Sequence, residues 1–310
     1  MMQWFDKPVP DFKDSVLTMG NFDGLHLGHQ KVLQELLLQA KQRQTTPVVL
    51  TYLEHPGHYV HFKHPVSILT PRALKQALIK ELGIEKVFFL NFTSEKAHTG
   101  ALDFLKDVLI KYFHPQVIVA GHDMHFGYQR VGNADFLQKH ETEFSYHTLQ
   151  IEPVLHEGKI ISSSLIRECL TSGDISAANA MLGKPYCLYG TVTHGQKLGR
   201  VIGFPTINLN LLDIEQLIPR DGVYLSSLVL NGEVYFGLTN IGTSPTLKNT
   251  SQIEIETHIL DFNEDIYDAE IELKLLEFIR AEQKFDDTRK LHQAIADDIA
   301  VGRKLMDRIK

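Results

Sequence analysis

The feature that most limits what this chain can fold into is a change of rhythm near residue 185. Before it, short apolar or β-branched runs alternate with helical stretches: strands over Val16–Met19, Pro47–Tyr52, Lys86–Phe89, Gln116–Ala120 and Phe144–Leu149, with helices over Gly28–Lys41, Pro71–Leu82, Gly100–Tyr112, Asn133–His140 and Ser163–Thr171. Such alternation predicts a doubly wound parallel sheet with helices on both faces, and ligands held beyond the carboxyl ends of its strands.

A short helix over Ile175–Leu182 closes that pattern, and from Tyr186 to Leu276 the texture is short strands separated by turn residues. Asn231-Gly232 between two apolar runs reads as a hairpin turn. The second half is therefore expected to be an all-β barrel. Leu291, Ile295, Ile299 and Leu305 recur at helical spacing within Asp287–Lys310 and predict a closing helix. The expected domains are residues 1–184 and 185–310.

Composition excludes several classes. The formal charge is −7, with no long run of Lys or Arg, so no nucleic-acid or anionic-membrane partner is expected. No stretch reaches the roughly 18 apolar residues of a membrane span, and MMQWFDKPVPDFKDS has no apolar signal core, so a cytoplasmic protein is expected. The two cysteines, Cys169 and Cys187, form no Cys-x-x-Cys pair and read as core thiols.

The chemistry concentrates first in the loop after the first strand. Gly20-Asn21-Phe22-Asp23-Gly24 is followed by a helix start carrying His26 and His29. Glycines permit a tight turn, and the first amides of a helix with its positive dipole end form an anion site. Two imidazoles three residues apart share that first turn and can donate to phosphate oxygens. No third metal ligand accompanies them, and neither the G-x-G-x-x-G nor the Walker A spacing occurs. The loop is thus read as a triphosphate site. Ser163 and Ser164 begin a later helix as caps or phosphate donors, and Arg167 offers a guanidinium fork.

These segments resemble a known family. GNFDGLHLGH matches the G-x-F-D-G-x-H-x-G-H signature of the nucleotidylyltransferase module of bacterial FAD synthetases, and ISSSLIRECL resembles that module's I-S-S-T-x-I-R segment. GTVTHGQKLGRVIGFPTINL resembles the G-R-x-x-G-F-P-T-A-N signature of riboflavin kinases. Their order is that of the bifunctional riboflavin kinase/FMN adenylyltransferase family, over essentially the whole chain.

The resemblance implies riboflavin, FMN and ATP as small-molecule substrates, FMN and FAD as products, and Mg²⁺ as cofactor. It implies that Gly20 to Gly24, His26, His29, Ser163, Ser164 and Arg167 handle the adenylyl-transfer nucleotide, with Gly199 and Arg200 serving ATP in the kinase half. TYLEHP and GHDMHFGYQRVG resemble flavin-holding loops, which implies roles for His55, Asp123 and Phe126, while Tyr52 and Met124 depart from the pattern. Thr206 and Asn208 offer a hydroxyl and an amide oxygen on one face of an extended segment, suited to a hard cation; in the family the corresponding pair serves nucleotide-bound Mg²⁺. Glu256 in Glu256-Thr257-His258 matches the family's catalytic Glu and is assigned as general base, and Arg280 in FIRAEQKF implies closure on flavin. Two other readings stand at this point: a riboflavin kinase with a weakened or inactive adenylyltransferase domain, and a binding module with a nucleic-acid barrel. The acidic balance of residues 186–276 disfavours the second.

Overall fold

The computed structural model describes residues 4–52, 66–91, 93, 95–194, 203–245 and 251–309. His55, Gly199 and Arg200 lie outside the described residues. The chain divides into two compact units, Met1–Ser163 and Ser164–Lys310.

In the first unit, β1 (Ser15–Met19), β2 (Thr46–Tyr52), β3 (Lys86–Leu90), β4 (Pro115–Gly121) and β5 (His147–Ile151) form one parallel sheet in the order β3-β2-β1-β4-β5. Every residue of β1 is buried, as expected for a central parallel strand covered on both faces, which is why it reads as a continuous run without alternation. Two core clusters lie on opposite faces: Leu17, Met19, Leu50 and Ile118 pack with Phe104, Leu109 and Phe113, while Val16, Val49 and Val119 pack with Leu33, Leu36 and Ile79. The strand order reverses between β1 and β4, which opens a crevice at their carboxyl ends.

The helices are α1 (Leu27–Arg43), α2 (Arg72–Glu81), α3 (Ala101–Phe104), α4 (Ala134–Lys139) and α5 (Glu141–Phe144). The single helix expected over Gly100–Tyr112 passes through a π-helical stretch, Leu105–Ile110, before ending at Lys111–Phe113. The strand expected to start at Phe144 starts at His147 instead: α5 runs to Phe144, and Ser145 at φ 56° in the left-handed region breaks it. An unforeseen hairpin, β6 (Leu155–His156) and β7 (Lys159–Ile160), turns on Glu157-Gly158, both at positive φ.

The second unit holds α6 (Ser163–Ser172, from its second residue), α7 (Ile175–Leu182) and a closed six-stranded antiparallel barrel. Its strands are β8 (Tyr186–Thr193), β9 (Ile207–Leu211), β10 (Gly222–Leu230), β11 (Glu233–Pro245), β12 (Ser251–Ile259) and β13 (Glu270–Arg280), in the order β10-β11-β12-β9-β8-β13 with β13 returning to β10. Asn231 and Gly232 form the expected hairpin at φ 51° and 86°. The Asn179 amide on α7 donates to the Leu275 carbonyl of β13 at 2.9 Å and accepts from the Tyr186 amide at 2.7 Å, so α7 packs with the barrel. The closing helix, α8 (Thr288–Ile309), packs Ile299, Leu305 and Met306 on Leu225 and Leu238.

Candidate active sites

The loop that leaves β1 turns at the crevice in a strained conformation: Phe22, Gly24 and Leu25 all have positive φ, at 51°, 82° and 45°. What over-determines it is Asp23. Its buried carboxylate accepts the Leu69 amide at 2.9 and 3.0 Å and the Thr70 amide at 3.0 Å, while the Thr70 hydroxyl accepts from the Gly24 amide at 3.1 Å. Asp23 thus fastens the loop to the segment before α2. The Phe22 ring packs in the core against the His29 ring, with centroids 5.3 Å apart.

His26 is the N-cap of α1, and its Nδ1 accepts the His29 amide at 3.3 Å. That bond puts the ring proton on Nε2 and leaves it as a donor. The two rings stack, with centroids 3.6 Å apart and planes 17° from parallel. Burial lowers the His26 pKa to about 4, against the opposing charges of Asp123 and Asp23. Burial lowers that of His29 well below the ordinary value too, helped by His26, Lys75 and His122. Both are therefore neutral imidazoles at pH 7, donors without a full charge. The His29 Nδ1 atom is buried with no hydrogen-bond partner.

Ser163 reaches this loop from 140 residues away, its hydroxyl donating to the Asp23 carbonyl at 2.9 Å. Its proton supports the loop backbone, and its oxygen is left to accept. Ser164 is exposed and Arg167 half-buried on α6. In the loop after β4, Asp123 is exposed, its carboxylate 3.9 Å from the His122 ring nitrogen. Phe126 and Met124 do not form a surface: both are buried in the core with Phe104 and Phe136 close by. Met124 therefore substitutes for an aromatic residue in packing, where a flexible thioether fills irregular space.

In the barrel, Glu256 pairs with Asn240 of β11 on one side and with Asn208 of β9 on the other. It is half-buried, and its pKa is raised first by burial and then by Glu254, with a hydrogen bond from the Asn208 side chain opposing. A carboxylate only accepts, so Asn208 gives it N–H and keeps its amide oxygen for another partner. Thr206 lines an open cavity of about 350 Å³ with Gly203, Ile207, Thr257, Asp265 and Tyr267. The oxygen donors Thr206 and Asn208 fit a hard cation that keeps much of its water. His258 holds the Pro205 carbonyl through Nδ1 at 2.8 Å, fixing the segment that carries Thr206.

Arg280 is engaged elsewhere. Nε and Nη2 donate to the Asp298 carboxylate of α8 at 2.9 and 2.7 Å, and Nη1 donates to the Ala281 carbonyl at 3.0 Å. Its fork docks α8 on the barrel end. Lys75, absent from the sequence reading, is buried at this first site, with Nζ 2.8 Å from the Tyr52 carbonyl and 3.3 Å from Asn21 Oδ1. The signal was available: Lys75 stands four residues before Ile79 on the apolar face of α2.

A strained loop at the switch point of a parallel sheet, joined in one chain to a barrel with a half-buried carboxylate, is the layout of a two-module transferase. The FAD synthetase family model matches residues 9–165 and the riboflavin kinase family model residues 182–306. The chain belongs to the bifunctional riboflavin kinase/FMN adenylyltransferase family. Curated relatives of that name include one from Bacillus subtilis, 36% identical with 92% of this chain and 90% of the relative covered, and one from Escherichia coli, 33% identical with 93% and 92% covered. A solved structure named as a macrolide-efflux protein of Streptococcus pneumoniae is 32% identical and shares the fold at a TM-score of 0.87 over 96% of each chain. That name finds no echo in either family model, and among the described residues no helix is long and apolar enough to cross a membrane.

Proposed function

We propose that this chain makes FMN from riboflavin and ATP at the barrel, and FAD with pyrophosphate from FMN and ATP at the α/β module. The observation that carries the reading is that two different chemistries are laid out in two compact units: neutral stacked histidines at the switch point of the first, and a half-buried carboxylate beside Asn208 in the barrel of the second.

In the adenylyl step an FMN phosphate oxygen attacks the α-phosphorus of ATP, the new P–O bond forms as the α–β bridge breaks, and pyrophosphate leaves. Charge builds on the bridging and terminal oxygens. His26 Nε2–H, His29 and the first amides of α1 are suited to meet that charge as donors held in place by the N-cap bond and the ring stack. Ser163 is read with them through its bond to the Asp23 carbonyl, Ser164 and Arg167 on the family resemblance alone, and Asp123 with the flavin.

In the kinase step Glu256 takes the proton of the attacking ribityl hydroxyl, and its raised pKa brings its basicity closer to the working pH. Thr206 and the Asn208 amide oxygen would hold nucleotide-bound Mg²⁺, which when bound offsets the charge of the ATP phosphates. A cytoplasmic setting is read from the sequence, whose two cysteines, Cys169 and Cys187, make no Cys-x-x-Cys pair and no disulfide framework.

The test is direct. Purified protein incubated with riboflavin, ATP and Mg²⁺ should yield FMN and then FAD, separated by chromatography. FMN accumulating with no FAD would remove the adenylyl-transfer half of the proposal.

A further inference from the structure

We propose that Lys75 is the positioning residue of the adenylyl-transfer site: its ammonium fixes the Asn21 amide so that the Asn21 Nδ2 group is presented as a donor to nucleotide phosphate. This inference rests on the adenylyl-transfer reading and assigns a residue that the signature loop does not contain.

A lysine is rarely buried without a purpose for its charge. Lys75 is 4% exposed and shares its helix face with Ile79. Its stem therefore runs through the space of a core residue, and its ammonium emerges at the carboxyl edge of the sheet. There it donates to the Tyr52 carbonyl that ends β2 and to Asn21 Oδ1 in the loop after β1.

The consequence lies in the chemistry of the two groups. An ammonium has donors and no acceptor, whereas an Asn amide has one face of each kind. The amide oxygen must then face Lys75, and the NH₂ group must face away from it. The Asn21 carbonyl is held independently by the Thr51 hydroxyl at 3.1 Å, so backbone and side chain of Asn21 are both fixed. Two N–H groups directed from a rigid loop at a helix N-terminus suit a phosphate oxygen.

Lys75 also brings charge to the site. His26 and His29 are neutral at pH 7, while Lys75, pulled down by burial to about 8 with Asp23 opposing, still carries most of its charge. The Asp23 carboxylate is engaged by the Leu69 and Thr70 amides. The arrangement is a preorganised cation behind an amide, acting on the phosphates through it.

The experiment uses the full chain and compares Lys75→Met, Asn21→Ala, their double variant and Asn21→Asp. Steady-state FAD formation from supplied FMN and ATP is read as kcat and as KM for ATP. FMN formation and thermal melting in the same preparations report folding. Each of Lys75→Met and Asn21→Ala should lower kcat/KM for ATP by about 10²-fold, the usual loss for one preorganised donor. The double variant should fall no more than about threefold below either, because the two residues act as one unit. Asn21→Asp, which keeps a partner for Lys75 but offers no N–H, should lose activity like Asn21→Ala while melting as the parent does. Multiplying losses in the double variant, or full FAD formation by Asn21→Asp, would overturn the assignment; the Asn21→Asp result decides even where Lys75→Met folds poorly. No FAD from the unsubstituted chain would overturn the adenylyl-transfer reading itself, and this assignment with it.

Discussion

His26 and His29 stack ring on ring, 3.6 Å between centroids, with the His29 amide bonded to His26 Nδ1. His26 is buried and His29 partly buried, and both are neutral, so they make the fold sensitive to acid. The folded pKa of His26 lies at about 4 and that of His29 well below the ordinary value, so in the window that opens below about pH 6.5 and for His26 closes at about pH 4 the unfolded chain takes up protons that the folded chain refuses. Stability is present above that window and falls as pH falls through it, by up to about 1.4 kcal/mol per pH unit for each such histidine. His26→Asn keeps a capping side chain and removes one titrating ring. Thermal melts from pH 7 to pH 4.5 should show a shallower acid decline for this variant than for the parent.

His29→Ala should lower FAD formation from FMN by about 10²–10³-fold, as expected for one preorganised donor, and leave FMN formation unchanged. The complementary change, Glu256→Gln, should lower FMN formation by about 10²–10⁴-fold, the usual contribution of a general base, and leave FAD formation from supplied FMN intact. Separate assays of the two steps check both variants, and loss of both activities in either one would mean that the two steps are coupled.

Glu254 shares the outward face of β12 with Glu256 and, after burial, is the second cause of its raised pKa. Removing that charge in Glu254→Gln should let Glu256 ionise more readily. The acid limb of the pH–rate profile for FMN formation should therefore move to lower pH, with the plateau rate unchanged. An unmoved limb would show that Glu256 is not the group titrating there.

Arg280 and Asp298 tie the end of β13 to α8 through a two-pronged pair, with Asp298 buried. Breaking a buried pair leaves a charge without its partner and costs about 3–5 kcal/mol, less where one member is partly exposed, as Arg280 is. Arg280→Ala and Asp298→Asn should both lower the melting temperature of the barrel, and Arg280→Lys should only partly restore it, because an ammonium lacks the fork. Equal melting with a raised KM for riboflavin in Arg280→Ala alone would mean that the guanidinium serves flavin instead of the helix.

Much of the architecture was legible because it rests on local pattern. The short run of β1 and the strand–helix alternation around it identify a covered parallel sheet, and Asn231-Gly232 identifies a hairpin of the barrel, since each depends on a few adjacent residues. The helix N-terminus at His26 was legible for the same reason. The delayed start of β5 and the hairpin on Glu157-Gly158 were not, because single left-handed residues such as Ser145 and Glu157 carry weak signals when they are not glycine.

Roles were less legible than places. Asp23 and Arg280 look alike in sequence as charged residues within signatures, yet one carboxylate anchors the Leu69–Thr70 backbone and the guanidinium docks a helix. Lys75 could be marked in the sequence as a lysine on an apolar helix face, but its role could not, because its partners, Asn21 and Tyr52, are 54 and 23 positions away.

The sequence alone determined the two-part organisation, the sheet and barrel classes, and the place of the tight loop between β1 and α1, because periodicity and turn chemistry act over short range. Only the tertiary structure decided the charge state of His26 and His29, the orientation of the Asn21 amide, and which signature residues keep a free functional group. These depend on burial and on hydrogen bonds between residues far apart in the chain, such as Ser163 to Asp23, and no local pattern records them.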